Sequence, residues 1–252
     1  MEREAYFYLL LASAGVAACV FIALQFFTAP YGRHARAGWG PTIHRTAGWV
    51  IMESPAVFVF VACFVVSDRR RDPVAIAYLL LWLLHYVYRA FIYPFRLRGG
   101  QLHMPLSVVA MAFGFNVMNG YLQGHGLFTI GPARGMEWFS DPRFIVGILL
   151  FLAGYAVNQQ SDIILRALRV PGESGYRIPL GGGFRFVSCP NYSGELVEWL
   201  GWALLTWSPA GLVFFLWTAA NLVPRARSHH RWYHERFPDY PRERKAVVPW
   251  LY

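Results

Sequence analysis

The chain has 252 residues, of which 56% are hydrophobic, 17% aromatic and only 15% charged, with a net charge of +9. Soluble domains carry about 25% charged residues, so this composition excludes an ordinary soluble globular class and points to a membrane protein. The positive balance does not imply nucleic acid, because the arginines flank apolar runs and do not cover a soluble face.

About 20 consecutive apolar residues cross a bilayer as a helix. The sequence predicts an all-α polytopic protein of seven such spans, at about 6–28, 47–67, 73–95, 104–123, 142–160, 195–207 and 209–223, in one domain over 1–252. The first run follows Met-Glu-Arg-Glu, is longer than a signal-peptide core and lacks a small-residue cleavage pattern, so it reads as a retained span. Cys19, Cys63 and Cys189 are scattered and odd in number, which offers neither a disulfide framework nor zinc spacing. A cytoplasmic C-terminus gathers Arg33, Arg36, Arg45, Arg96, Arg98, the arginines from 166 to 185 and the basic tail on one side. Only Arg3, Arg69, Arg70, Arg71, Arg134 and Arg143 then lie opposite, an orientation that obeys the positive-inside rule. The expected surroundings are membrane lipid, in a bacterial inner membrane or the endoplasmic reticulum, and a monomer is the expected assembly, although the sequence itself names neither the host membrane nor the oligomeric state.

In the second span, Glu53 sits in Trp49-Val50-Ile51-Met52-Glu53-Ser54-Pro55, an otherwise apolar run. Desolvation there favours the neutral, proton-donating acid, and the group must face a cavity or a partner; a partnered structural Glu is the alternative. On the third span, spacings of three and four put Tyr86, Arg89 and Tyr93 on one stripe facing the bundle. Tyr86 suits a donor to a buried carbonyl or an interfacial anchor, Arg89 an ion pair, and His85 a packing role.

Asn158, Asp162, Arg166 and Arg169 share a face if the fifth helix continues beyond the membrane. An amide, an acid and two arginines suit a nucleotide, although Asp162 and Arg166 also fit a surface pair. The following loop, about 161–194, contains Pro171-Gly172, Pro179 and Gly181-Gly182-Gly183, and loops of this length are often functional. Pro190 fits the first turn of a helix on which Asn191, Glu195 and Glu198 share a face. Asn191 and Glu195 are spaced to orient an amide-bearing ligand such as nicotinamide, or the acids complement the helix dipole. In the tail, Arg225, His229, Tyr233 and Arg236 form another stripe. Guanidinium forks such as Arg225 and Arg244 match phosphate oxygens, with a lipid-binding polybasic patch as the alternative. The tail histidines have no partners at metal-ligand spacing, so no metal is expected. Gly181-Gly182-Gly183-Phe184 is neither a dinucleotide fingerprint nor a P-loop.

From about Tyr31 onward the sequence resembles the steroid 5α-reductase (3-oxo-5-alpha-steroid 4-dehydrogenase) family. The resemblance is carried by Asn158-Gln159-Gln160-Ser161-Asp162-Ile163-Ile164-Leu165-Arg166, Tyr176-Arg177-Ile178-Pro179, Cys189-Pro190-Asn191-Tyr192-Ser193-Gly194-Glu195, His229-His230-Arg231-Trp232-Tyr233 and Tyr240-Pro241-Arg242-Glu243-Arg244-Lys245-Ala246. It implies seven transmembrane helices and NADPH approached from the cytoplasm, with an N-terminal half on the substrate side and about 140–252 on the cofactor side. It also implies NADPH contacts from Arg98, Asn158, Asp162, Arg169, Tyr176, Arg177, Asn191, Glu195, Arg225, His229, Tyr233 and Arg244. Glu53 and Tyr86 fall where family members bind the 3-keto oxygen of a steroid, or of a related enone lipid. Met52 departs from the Gln usual in animal members, and Gly100 from an arginine found in some; plant-like members share Met-Glu-Ser-Pro. The C-terminal helices also look like membrane methyltransferases of the isoprenylcysteine or phospholipid type, which use S-adenosylmethionine and share an element like Pro190 to Gly194. A sterol- or lipid-binding protein that kept the fold and lost activity is the third reading.

Overall fold

A computed structural model describes residues 2–30, 32–34, 36, 38–99, 102–169 and 175–252; Tyr31, Gly100 and Pro171-Gly172 lie outside them. Its helices are α1 (Glu2–Phe26), α2 (Arg45–Val66), α3 (Pro73–Val87), α4 (Tyr93–Arg96), α5 (Leu106–His125), α6 (Pro142–Ala167), α7 (Pro190–Thr206) and α8 (Pro209–Arg236). A π turn over Tyr88–Ile92 joins α3 to α4 in one rod, and another over Gly126–Ile130 extends α5. Two short antiparallel strands, β1 (Thr42–His44) and β2 (His103–Pro105), tie together the segments before α2 and α5.

Among the described residues, long helical segments thus occupy the positions of all seven predicted runs. Four are long and apolar enough to cross a membrane: Glu2–Phe26, Arg45–Val66, Pro73–Arg96 and Pro142–Ala167. The others are shorter or less apolar, so length and composition alone do not carry the count of seven crossings. α7 starts at Pro190 and α8 runs to Arg236 because each helix continues past its apolar run as a polar stripe.

Local chemistry explains the breaks. Pro55 inside α2 cannot donate to the Ile51 carbonyl, and Ser54 Oγ takes over that bond at 3.3 Å. Pro94 likewise cannot donate to the Ala90 carbonyl; just before it the helix widens, and Tyr93 N donates to Tyr88 O. Asp72 and Asp141 cap α3 and α6 by accepting from Val74 N and Arg143 N, both at 2.8 Å.

Glycines bring α6 and α7 backbone to backbone. A Cβ on Gly154 would meet Glu198 N at 2.3 Å, one on Gly194 would meet Asn158 N at 2.6 Å, and one on Gly201 would meet Phe151 N at 2.4 Å. Small residues at such crossings let membrane helices pack closely. The centre of the bundle is aromatic: Trp82, Trp199, Trp202, Phe60 and Phe151 are fully buried, and Phe60 stacks on Trp82 with centroids 4.6 Å apart.

Candidate active site

The basic segments around Gly32, Leu97, Arg169 and the end of α8 converge at one end of the bundle around a cavity of about 310 Å³. Its wall carries Arg33, Arg45, Arg89, Arg98, Arg166, Arg169, Arg177 and Arg225, and Asp162 is the one acid among these lining residues. Of the residues predicted to hold a cofactor, Arg98, Asp162, Arg169, Tyr176, Arg177, Asn191, Arg225, His229 and Tyr233 line it. Asn158, Glu195 and Arg244 stand behind the wall. Asn158 Nδ2 donates to Asn191 O at 3.0 Å and lies 3.4 Å from Glu195 Oε2, while Arg244 Nη1 donates to Pro179 O at 3.0 Å. A smaller cavity of about 60 Å³ near Arg69, at the other end of α3, contains none of the predicted residues.

Arg33, Arg45 and Arg89 escaped the cofactor prediction. Arg89 lies 4.7 Å from the centroids of both Trp49 and Tyr93, and its Nη1 is 3.7 Å from Asp162 Oδ2. Arg89 lies within the π turn. Arg33 sits in an aromatic cage, 5.3, 4.9 and 4.7 Å from the rings of Tyr176, Trp232 and Tyr233. Arg169 stacks on Tyr176 at 4.2 Å. Short cationic segments between spans were legible only as topology signals, so nothing in the spacing singled out Arg33 or Arg45.

A polar relay closes the α8 side. Arg225 Nε donates to the Tyr192 hydroxyl at 3.1 Å, that hydroxyl lies 3.2 Å from His229 Nε2, and His229 Nδ1 lies 2.9 Å from His34 Nε2. Arg225 can only donate, so Tyr192 accepts from it; with the His229 proton on Nδ1, Tyr192 donates to His229 Nε2 and His229 donates to His34 Nε2. Burial, then the charges of Arg225 and Arg33, push the His34 imidazole down to about 4; burial and the same arginines hold His229 well below its ordinary range. Both rings are therefore neutral at pH 7.

Like charges around one cavity repel unless an anion joins them. Arg33 Nη1, Arg169 Nη1 and Asp162 Oδ2 are buried with no hydrogen-bond partner among the described residues. Unsatisfied donors beside neutral imidazoles and stacked rings fit a polyanionic, ring-containing ligand, and so the phosphates and bases of a dinucleotide.

Glu53 and Tyr86 are not among the residues that line this cavity. Glu53 Oε2 accepts from Asn116 Nδ2 at 3.3 Å, and the same nitrogen donates to Met52 O at 2.6 Å. Tyr86 is 4% exposed, with its ring 4.6 Å from Trp82 and 5.7 Å from Trp199. His85 Nδ1 pairs with Glu198 Oε1 at 2.8 Å, which makes Glu198 a core partner and not a cavity residue.

Residues 102–252 match the family described as 3-oxo-5-alpha-steroid 4-dehydrogenase. The chain is 43% identical to steroid 5-alpha-reductase DET2 of Gossypium hirsutum over 255 residues, covering 100% of this chain and 99% of the relative. It is 42% identical to the DET2 protein of Arabidopsis thaliana, over 92% of this chain and 90% of that one. It is also 42% identical to 3-oxo-5-alpha-steroid 4-dehydrogenase 1 of Bos taurus, over 92% of this chain and 91% of that one.

Proposed function

Because the chain belongs to the 3-oxo-5-alpha-steroid 4-dehydrogenase family, oxidoreductases that act on CH–CH groups, we propose that it reduces the Δ4 double bond of 3-oxo-Δ4 steroids with NADPH. The observation that carries the cofactor half is the arginine-lined cavity with its unpartnered donors. Arg33, Arg98, Arg169, Arg177 and Arg225 hold the phosphates, and Asp162, Asn191, His229 and the Tyr176 and Tyr233 rings hold the polar edges and bases. Asn158 and Glu195 orient the amide-bearing end from behind Asn191, and Arg244 fixes the loop at Pro179. The cofactor side thus draws on both halves of the chain, since Arg33, Arg45, Arg89 and Arg98 join residues beyond 140. It faces the cytoplasm, as the positive-inside bias requires.

When bound, NADPH would supply the hydride that C5 of the steroid accepts, and a proton drawn from solvent would add at C4 of the resulting enolate to complete the reduction. Glu53 as a neutral acid and Tyr86 as a phenol both donate to the 3-keto oxygen, on which negative charge develops. Donors fixed in a dry site stabilise that charge more than water does, by about 3 to 4 kcal/mol for each well-placed donor. Arg89 keeps Asp162 and the cavity wall in register behind them. S-adenosylmethionine is cationic and carries no phosphate, so an arginine-lined wall speaks against the methyltransferase reading.

The test is detergent-purified protein incubated with NADPH and a panel of 3-oxo-Δ4 steroids, with products identified by mass spectrometry. A 5α-reduced product with matching NADPH oxidation is the expected result. Glu53→Gln should retain NADPH binding and lose turnover by about 100-fold. Unchanged turnover in that variant would refute the role of Glu53, and adenosylmethionine or no cofactor co-purifying would refute the NADPH assignment.

A further inference from the structure

Residues 247–252, Val-Val-Pro-Trp-Leu-Tyr, are apolar yet lie outside every predicted span. They fold into a tight turn that satisfies its own backbone. Val247 N and Val248 N donate to Tyr252 O at 2.8 and 2.6 Å, Tyr252 N donates to Val248 O at 3.0 Å, and Leu251 N donates to Val248 O at 3.2 Å. Pro249 has no N–H to place. Internal pairing of this kind is what lipid demands of any backbone that meets it. The turn nevertheless holds Trp250 at φ +62°, a left-handed conformation that a bulky side chain rarely adopts. No burial within the chain offsets that strain, since Trp250 is 83% and Leu251 80% exposed. Phe186, whose ring centroid is 5.8 Å from that of Trp250, is exposed as well, as is Leu180 on the same loop. None of the four lines the cavity.

α6 gives the depth of this patch. A Cβ on Gly182 would meet Gln160 Oε1 at 2.9 Å and Ile164 Cδ1 at 3.2 Å, so the loop between Leu180 and Phe186 packs on the flank of α6, which continues past it to Ala167. At about 1.5 Å per residue, Gln160 and Ile164 lie about 27 to 33 Å along the helix from Pro142. A hydrocarbon core about 30 Å thick gives way to headgroups at that distance. The tail is tied to the loop at the same level, because Lys245 N donates to Phe186 O at 3.0 Å, Ser188 N to Lys245 O at 2.7 Å and Cys189 N to Ala246 O at 3.1 Å. Arg185, next to Phe186 in sequence, and Lys245, paired with it, are both exposed. Aromatic rings accompanied by basic side chains at the edge of the apolar layer have the composition of a membrane interface.

We propose that Trp250, Leu251 and Phe186 insert into the lipid interface at the cavity end of the bundle, and that this anchor braces the cavity wall from outside. The wall is reached through the same tail, since Ser188 and Cys189 line the cavity and Arg244 Nη1 donates to Pro179 O. Lipid covers the apolar surface that the strained turn presents. The insertion does not depend on what the cavity binds; the bracing is read through NADPH and rests on the function proposed above.

The experiment uses the 252-residue protein in lipid nanodiscs. Subtracting the fluorescence of Trp250→Phe from that of the unsubstituted protein isolates Trp250 from the other tryptophans. Lipids brominated near the headgroup end of the acyl chain should quench that difference emission, aqueous iodide should not, and its maximum should lie to the blue of indole in water. Quenching by iodide with a water-like maximum would place the turn in solvent and overturn the proposal. Protection from both quenchers would mean that protein covers the patch, as in a second copy of the chain, and would overturn it equally. For the bracing, Trp250→Glu should weaken NADPH binding several-fold in nanodiscs while Trp250→Phe stays close to the unsubstituted protein, because the interface expels a carboxylate and keeps a phenyl ring. Equal NADPH affinity in the two variants would overturn the bracing. Should the unsubstituted protein bind no NADPH, the cofactor reading fails while the fluorescence still decides the insertion. Trp250→Ser, which removes the ring without adding charge, supplies an independent reading of the bracing if Trp250→Glu does not fold.

Discussion

Arg89 Nη1 lies 3.7 Å from Asp162 Oδ2, so a single ion pair connects the π turn of the third rod to α6 at the cavity wall. Side-chain exposure is 19% for Arg89 and 6% for Asp162, which places the acid in the drier environment. Removing the partner of a buried charge leaves that charge uncompensated. Arg89→Met should therefore destabilise the protein by about 3 to 5 kcal/mol. Asp162→Asn should cost less, because Trp49 and Tyr93 still sandwich the guanidinium. Thermal unfolding in detergent checks the order; equal losses would show that the aromatic sandwich contributes nothing.

The α6–α7 contact makes a sharper claim about single methyl groups. Gly154→Ala places a Cβ 2.3 Å from Glu198 N, an atom of backbone that cannot move without separating the helices. A loss of about 1 to 3 kcal/mol or more is expected from such overpacking, accompanied by weaker NADPH binding, since Asn158 and Asn191 meet across the same contact. Gly15→Ala on α1, where nothing lies within 4 Å, should leave stability unchanged or raise it slightly. Thermal melts of the two variants side by side separate the packing effect from helix propensity.

Much of this architecture was legible because membrane proteins write it in long words. The apolar runs mark helices, and the stripes at 158–166, 191–198 and 225–236 were readable at spacings of three and four because the helices that carry them are regular, whereas Arg169, expected on the first of these stripes, lies two residues past the end of α6. Arg33 and Arg45 were not, since they lie on short irregular segments whose convergence on the cavity depends on β1–β2 pairing and helix packing. Asn116, Asn119 and Gln123 were readable in principle as polar residues at spacings of three and four within an apolar run, and Gly147/Gly154 and Gly194/Gly201 as pairs seven apart. Glu198 was misleading for a physical reason: it shares a helix face with Asn191 and Glu195, but two turns deeper it meets His85 in the core.

Arg169 offers the cleanest view of the cofactor. Its guanidinium stacks on Tyr176 at 4.2 Å, and its Nη1 is a buried donor without a hydrogen-bond partner among the described residues. Arg169→Gln keeps length and polarity but removes charge and the planar fork. It should raise the KM for NADPH by about 10-fold or more while leaving the steroid KM in place. Arg177→Ala should act in the same direction without loss of fold, because Arg177 is exposed on the cavity rim. A fall in kcat with unchanged NADPH affinity in either variant would place the phosphates elsewhere.

The His34–His229 contact predicts how acid acts on the ligand-free protein. In the folded state His34 titrates at about 4, below its ordinary 6.5, chiefly because it is buried and secondly because Arg225 and Arg33 face it. His229, held down by burial and the same two arginines, shifts in the same direction. Between those values the unfolded chain binds more protons than the folded one, so stability is complete above about pH 6.5 and falls as pH drops toward about 4. His34→Asn removes one of the two titrations and should flatten the decline without abolishing it. Saturating NADPH should flatten it too, because phosphates placed among Arg33, Arg225 and the imidazoles favour the protonated rings. Melting temperatures measured from about pH 7.5 to about pH 5, with and without NADPH, test both effects. A decline that is identical in all three samples would mean that groups elsewhere govern acid stability, and that the relay from Arg225 to His34 does not face the phosphates.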